Sequence, residues 1–116
     1  MPGTLNEMAV RCKVEEKDLY LYYYLQEKRG ESIIVFCNAI TATRRLNSLL
    51  EFLKIKNHCL HSKMQQRQRL KNLDRFKRQV SEIEAGGSKD QTAILVCTDV
   101  AARGLDIPYV SNVVHY

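Results

Sequence analysis

Two apolar runs constrain this chain more than any other feature: Ser32-Ile33-Ile34-Val35-Phe36-Cys37 and Ala93-Ile94-Leu95-Val96-Cys97. Both are dense in β-branched residues, lack polar alternation and are too short for a buried helix. Each therefore reads as a strand covered on both faces. Such strands belong to parallel sheets, and a parallel sheet needs a crossover between successive strands. Helical periodicity occurs where that requires it. Val14 to Lys28 reads as a first helix, with Glu15, Glu16 and Asp18 where the dipole favours acids, Lys28 and Arg29 at its end, and Gly30 as the stop. Leu19, Tyr22, Tyr23 and Gln26 share one side of it. Thr41 to Lys54 is a second helix, carrying Leu46, Leu49, Leu50 and Leu53 at helical spacing.

His58 to His61 is short enough for a strand. Met64 to Gln79 is a strongly basic third helix with Leu70, Leu73 and Phe76 facing inward, and Ser62-x-x-Gln65 before it has the spacing of a capping box. A short helix follows the 93–97 strand, and Val110 to Tyr116 reads as the last strand. The alternation predicts an α/β domain with a mostly parallel sheet and right-handed crossovers. Ligands of such sheets gather beyond the carboxyl ends of the strands, here Asn38-Ala39, His61-Ser62-Lys63 and Thr98-Asp99. Residues 1–13 are expected to be an N-terminal tail and residues 14–116 the domain. Within it, 80–91, with Ala85-Gly86-Gly87-Ser88-Lys89-Asp90, is expected to be a flexible surface loop. Because the chain stops just after a strand, a truncated domain is the expectation.

Composition narrows the function classes. At 116 residues the chain is one domain or part of one, and with 45% hydrophobic residues it can form a core. A formal charge of +5 permits a polyanionic partner without requiring one. Cys12, Cys37, Cys59 and Cys97 form no C-x-x-C pair, so no zinc site or disulfide framework is indicated, and reduced thiols in an intracellular protein are expected. No apolar stretch approaches the ~18 residues of a membrane span, and the first residues lack the pattern of a signal peptide.

Three segments could carry chemistry. Gly86-Gly87-Ser88-Lys89 fails as a phosphate loop, because its glycines precede a strand and the spacing is wrong. From His61 to Arg78 there are seven cations (Lys63, Arg67, Arg69, Lys71, Arg75, Lys77, Arg78) and one acid, Asp74. That is either a solvated helix face or a track for a polyanion. Thr98-Asp99-Val100-Ala101-Ala102-Arg103-Gly104-Leu105-Asp106 is the strongest signal. A buried strand runs straight into two residues of N-cap type. Gly104 lets the backbone turn or approach a neighbour closely. Asp99 and Asp106 can accept from hydroxyl or guanidinium groups, and Arg103 can hold phosphate or carboxylate. A plain helix cap followed by a surface turn would use the same residues.

These residues resemble a family. Ser32 to Asn38 is similar to motif IV of DEAD-box RNA helicases, and Gln66-x-x-Arg69 with the leucine-bearing helix ending at Phe76 to their Q-x-x-R motif. Thr98 to Pro108 resembles their motif V almost letter for letter. The resemblance implies a RecA-like three-layer sandwich, the second lobe of a two-lobe motor, with ATP and RNA bound across the cleft between lobes. It implies that Gly104 and Asp106 meet the ATP ribose, and that Asn38, Gln66, Arg69 and Thr98 serve single-stranded or duplex RNA. Phe36, Asp99 and Arg103 would brace the site or couple the lobes, and Mg²⁺ would be held mainly by the first lobe. Lys17 to Tyr23 and Gln68 to Leu73 resemble the branch acting in nucleolar assembly of the large ribosomal subunit. That implies pre-ribosomal partners and a nuclear or nucleolar location, with the cytoplasm the alternative.

The departures bear on activity. Motif VI, with the arginines that meet the γ-phosphate, is expected beyond Tyr116, and the first lobe is absent, so the chain alone is expected not to hydrolyse ATP. No catalytic residue and no metal ligand is expected within it. His61-Ser62-Lys63 stands where many members carry H-G-D/E, which makes that turn more positive. The rival functions are a non-catalytic RNA- or protein-binding module from a degenerate lobe, and a DNA-directed helicase lobe.

Overall fold

The buried runs form the centre of the sheet. In the computed structural model, which describes residues 6–8, 16–87 and 90–116, the elements are β1 (Asn6–Met8), α1 (Lys17–Glu27), β2 (Ser32–Cys37), α2 (Ile40–Phe52), β3 (His58–Leu60), α3 (Gln66–Glu84), β4 (Ala93–Thr98), α4 (Asp99–Ala102) and β5 (Asn112–His115). The strands lie in the order β1-β5-β2-β4-β3, and every pairing is parallel. All six β4 residues are buried, and so are five of the six in β2, as strands covered on both faces must be.

Helices pack on the two faces as separate layers. On one, Leu21, Tyr24 and Leu25 of α1 and Leu46 and Leu50 of α2 meet Ile33, Val35, Cys37, Ile94 and Val96. On the other, Phe76 and Val80 of α3 and Ala101 of α4 meet Ile34, Leu60, Leu95 and Cys97. Each fully buried side chain of this size contributes about 1.5–3 kcal/mol. The architecture is the α/β, RecA-like sandwich that the alternation and the resemblance lead one to expect.

Several local expectations need correction. Asn6–Met8, within the segment expected to be a tail, pairs with β5 as an edge strand. α3 runs to Glu84, so residues 80–84 are helix and the loop is 85–92. Val80 and Ile83 continue the inward stripe of Leu73 and Phe76, outweighing the polar residues between them. Leu70, expected inward, is exposed. The capping box does not form: the N-cap is Gln65, and its side chain makes no capping bond. α1 turns Leu21, Tyr24 and Leu25 inward onto the core and leaves Leu19 and Tyr23 to solvent, and the Tyr24 hydroxyl donates to Asn112 Oδ1 at 3.3 Å. Leu53, expected to pack, caps α2 partly exposed. Cys37 and Cys97 are buried free thiols and Cys59 is half-buried. Burial pushes the Cys59 thiol up to about 11 and Cys97 to about 12, so neither ionises near neutrality. Cys12, Val14, Glu15, Ser88 and Lys89 lie outside the described residues.

The layers are tied at their rim. The Arg45 guanidinium makes a bidentate pair with Asp18, at 2.8 and 3.1 Å, and the Tyr116 hydroxyl sits between them. Lys17 Nζ lies 5.1 Å from the Tyr116 ring centroid. The Arg45 bond holds the Asp18 carboxyl below its ordinary value, and burial pushes Tyr116 up to about 12.

Candidate functional site

β2 and β4 are neighbours, yet the chain leaves them for opposite faces of the sheet, β2 into α2 and β4 into α4. Adjacent strands whose continuations diverge leave a crevice beyond their carboxyl ends. Here the crevice is a hollow of about 400 Å³, lined by Phe36, Asn38, Asp99, His115 and Tyr116 among others. Asn38 is exposed at the end of β2. Phe36 stacks on His115 of the neighbouring strand, centroids 5.8 Å apart and planes 19° from parallel, because Phe36 and His115 are partners in the register. His115 could not be found from sequence, since its place depends on that register.

The segment after β4 is held from within. Thr98 is buried, and its Oγ1 accepts from the Ala101 amide at 3.2 Å, capping α4. The Arg103 guanidinium donates to Asp99 Oδ2 at 3.0 Å one turn back. These two, singled out separately in the sequence, are thus partners. Gly104 follows at φ +74°, in the left-handed region, where a Cβ would meet nothing within 4 Å. The glycine is needed for the turn and not for closeness to any part of this chain.

Arg69 joins this segment to α3. Its Nη1 donates to Gln66 Oε1 at 3.2 Å and its Nη2 to the Ala101 carbonyl at 3.2 Å. The Q-x-x-R spacing therefore places both side chains on one turn, with the arginine reaching across to α4. Arg69 Nε, together with His61 Nδ1 at the end of β3, is buried without a hydrogen-bond partner, and no other buried side-chain polar atom among the described residues is. Burial, with Arg44 and Arg69 nearby, holds the His61 imidazole below its ordinary value and so neutral.

Asp106 stands apart. Its carboxylate is 93% exposed and accepts from Lys77 Nζ at 3.1 Å. Lys77 lies eight residues beyond Arg69, about 12 Å along the axis of α3. So the expected site residues are spread over several elements: Gln66 and Arg69 at the first turn of α3, tied to Ala101 of the helix that Thr98 caps; Phe36, Asn38 and Asp99 around the neighbouring crevice, with Arg103 bound to Asp99; and Asp106, two residues after Gly104, beside Lys77 farther along α3. Lys77 was counted only as one of a run of cations, and nothing in the sequence pairs it with Asp106. Among the described residues no group of His, Cys, Asp and Glu could hold a metal ion.

Residues 16–116 match the family described as "Helicase conserved C-terminal domain". The chain belongs to that family. It is similar to ATP-dependent RNA helicase DDX24 of Mus musculus, 46% identical over 113 residues, covering 97% of this chain and 12% of the relative. It is also similar to ATP-dependent RNA helicase MAK5 of Lodderomyces elongisporus, 49% identical over 114 residues, 98% of this chain and 12% of the relative. MAK5 of Candida albicans is 46% identical, with 98% and 14% covered. The domain is thus of the DEAD-box RNA helicase type, and it spans about an eighth of the length of the relatives it matches.

Proposed function

We propose that this domain is the second lobe of an ATP-dependent RNA helicase, serving as a clamp on the RNA backbone and as one wall of an ATP site. The observation that supports it most is the Arg69 tie: one guanidinium holds Gln66 and the Ala101 carbonyl together, fixing the first turn of α3 against α4. A surface fixed in advance loses little entropy on binding. Asn38, Gln66, Arg69 and Thr98 form the RNA face. Contacts there are to phosphate and sugar, which position a protein without reading sequence.

In the same reading Gly104 and Asp106 meet the ribose of ATP. The exposed Asp106 carboxylate can accept from ribose hydroxyls, and Lys77 beside it holds it in place. When bound, ATP would supply the free energy of phosphoryl transfer, and Mg²⁺ would be held mainly by the first lobe. Phe36, Asp99 and Arg103 keep the edge in shape for closure of the lobes. The likeness to DDX24 and MAK5 favours, for the parent protein, a place in assembly of the large ribosomal subunit and a nucleolar location, with pre-ribosomal particles as partners.

The test is ATP turnover by the full-length parent, with and without single-stranded RNA at fixed salt. Turnover stimulated by RNA supports the reading. Stimulation by DNA alone would assign a DNA-directed motor. RNA binding by a folded parent without turnover would assign a binding module.

A further inference from the structure

A second hollow, of about 500 Å³, lies at the opposite end of the sheet, where the strands begin. Half-buried Ile55 after α2 supplies the apolar surface that faces it, with Leu25 of α1 and Ile94 of β4 buried beneath. Arg29, Lys54 and Lys56 stand around it against a single carboxylate, Asp90, and its other polar groups are neutral. Lys54 and Lys56 enter no ion pair with a described residue. Ile94 and Thr98 are four residues apart on β4, about 13 Å, so this hollow is separate from the crevice beyond the carboxyl ends.

Lys54 marks the site in a second way. The Ile55 amide donates to the Leu50 carbonyl at 2.8 Å and the Lys54 amide to the Glu51 carbonyl at 3.0 Å, the double bond pattern of a helix end whose key residue is left-handed. That residue is usually glycine. Here it is Lys54, at φ +64°, the one described residue other than glycine with a positive φ. A side chain is thus kept, at a cost in backbone strain, where only glycine would be unstrained, and strain of this kind concentrates at functional positions.

We propose that this hollow docks an acidic peptide segment bearing one apolar side chain. Carboxylates of the peptide pair with Arg29, Lys54 and Lys56, and the apolar side chain rests on Ile55. Charge complementarity selects the sign of the partner. The apolar lining selects a peptide over a nucleic acid. Single-stranded RNA is held by aromatic stacking together with cations, and no described residue lining the hollow is aromatic.

A displayed library of random twelve-residue peptides, selected against the 116-residue chain, tests this. Enriched peptides should carry at least two acids around an apolar residue. They should bind the Arg29→Gln/Lys56→Gln variant at least tenfold more weakly, and oligo-uridine should not displace them. Lys54→Gly, which relieves the strain, should raise the Tm while weakening the same peptides several-fold, so the result stands even where the double variant folds poorly. No enrichment, equal binding by Lys54→Gly, or displacement by oligo-uridine would overturn the proposal. Its failure would leave the RNA-clamp reading untouched, since none of these residues belongs to that face.

Discussion

The two ends of the sheet carry cost in different forms. At the carboxyl end the backbone is relaxed, and the left-handed position is filled by a glycine, Gly104. The cost there is polar: Arg69 Nε and His61 Nδ1 are buried without partners. At the amino end described polar atoms are satisfied or exposed, and the cost sits in the backbone at Lys54. The carboxyl end spends its polar side chains on one another, Arg69 on Ala101, Thr98 on the α4 cap and Arg103 on Asp99, and so presents a fixed surface. The amino end leaves cations around an apolar floor. A prearranged surface suits a partner of invariant chemistry, such as a phosphate backbone, whereas a cationic rim over an apolar floor suits a partner chosen by its side chains.

That contrast can be broken by mutation. The largest effect is expected from Arg69→Ala, which unties α3 from α4 and should cost about 2 kcal/mol, the worth of hydrogen bonds from a charged donor. A urea titration of the chain reads it. Gly104→Ala should cost about 1–2 kcal/mol, because a Cβ is disfavoured at φ +74° even with open space around it. Lys54→Gly should act in the other direction, stabilising by about 0.5–1 kcal/mol and raising the Tm by a few degrees. Equal signs for these last two would abolish the contrast.

Acid should weaken both ends. Burial lowers the titration of His58 at the start of β3 and of His61 at its end. The unfolded chain therefore takes up these protons before the fold does. Their contribution is complete above the ordinary value of 6.5 and is lost as pH falls through the lowered folded values. The Tm should fall as pH drops from 7 to 5, and His58→Asn/His61→Asn should flatten that slope. Asp18, whose carboxyl is held below 3.8, adds its own loss only at lower pH. The smallest effect belongs to Asp18→Asn, about 0.5 kcal/mol at neutral pH, since its pair with Arg45 is partly exposed.

The central strands were legible because Ser32 to Cys37 and Ala93 to Cys97 are continuous runs that admit only one doubly covered reading. The face of α1 was not, because Tyr20, Tyr22, Tyr23 and Tyr24 satisfy several helical phases, and the inward one packs on residues distant in sequence, with Tyr24 bonded to Asn112. The last turns of α3 were hidden by Ser81, Glu82 and Glu84 around Ile83 and by the glycines after them. At the site, Thr98 as a cap could be read from its residue type and its place after a strand, and Gln66 with Arg69 from the resemblance to the Q-x-x-R motif. The Phe36–His115 stack, the Lys77–Asp106 pair and the amino-end hollow depend on register and on loops meeting in space, which no local pattern encodes.

The most direct test of the account is a crossed measurement on the full-length parent: RNA and ATP affinity for Arg69→Ala and for Asp106→Ala. Arg69 and Lys77, the partner of Asp106, are about 12 Å apart along α3, and Arg69 and Asp106 are assigned to different ligands. Arg69→Ala is expected to weaken RNA at least tenfold more than ATP, and Asp106→Ala to do the reverse. Equal losses of both ligands in both variants would contradict the separation of the two faces on which the account rests.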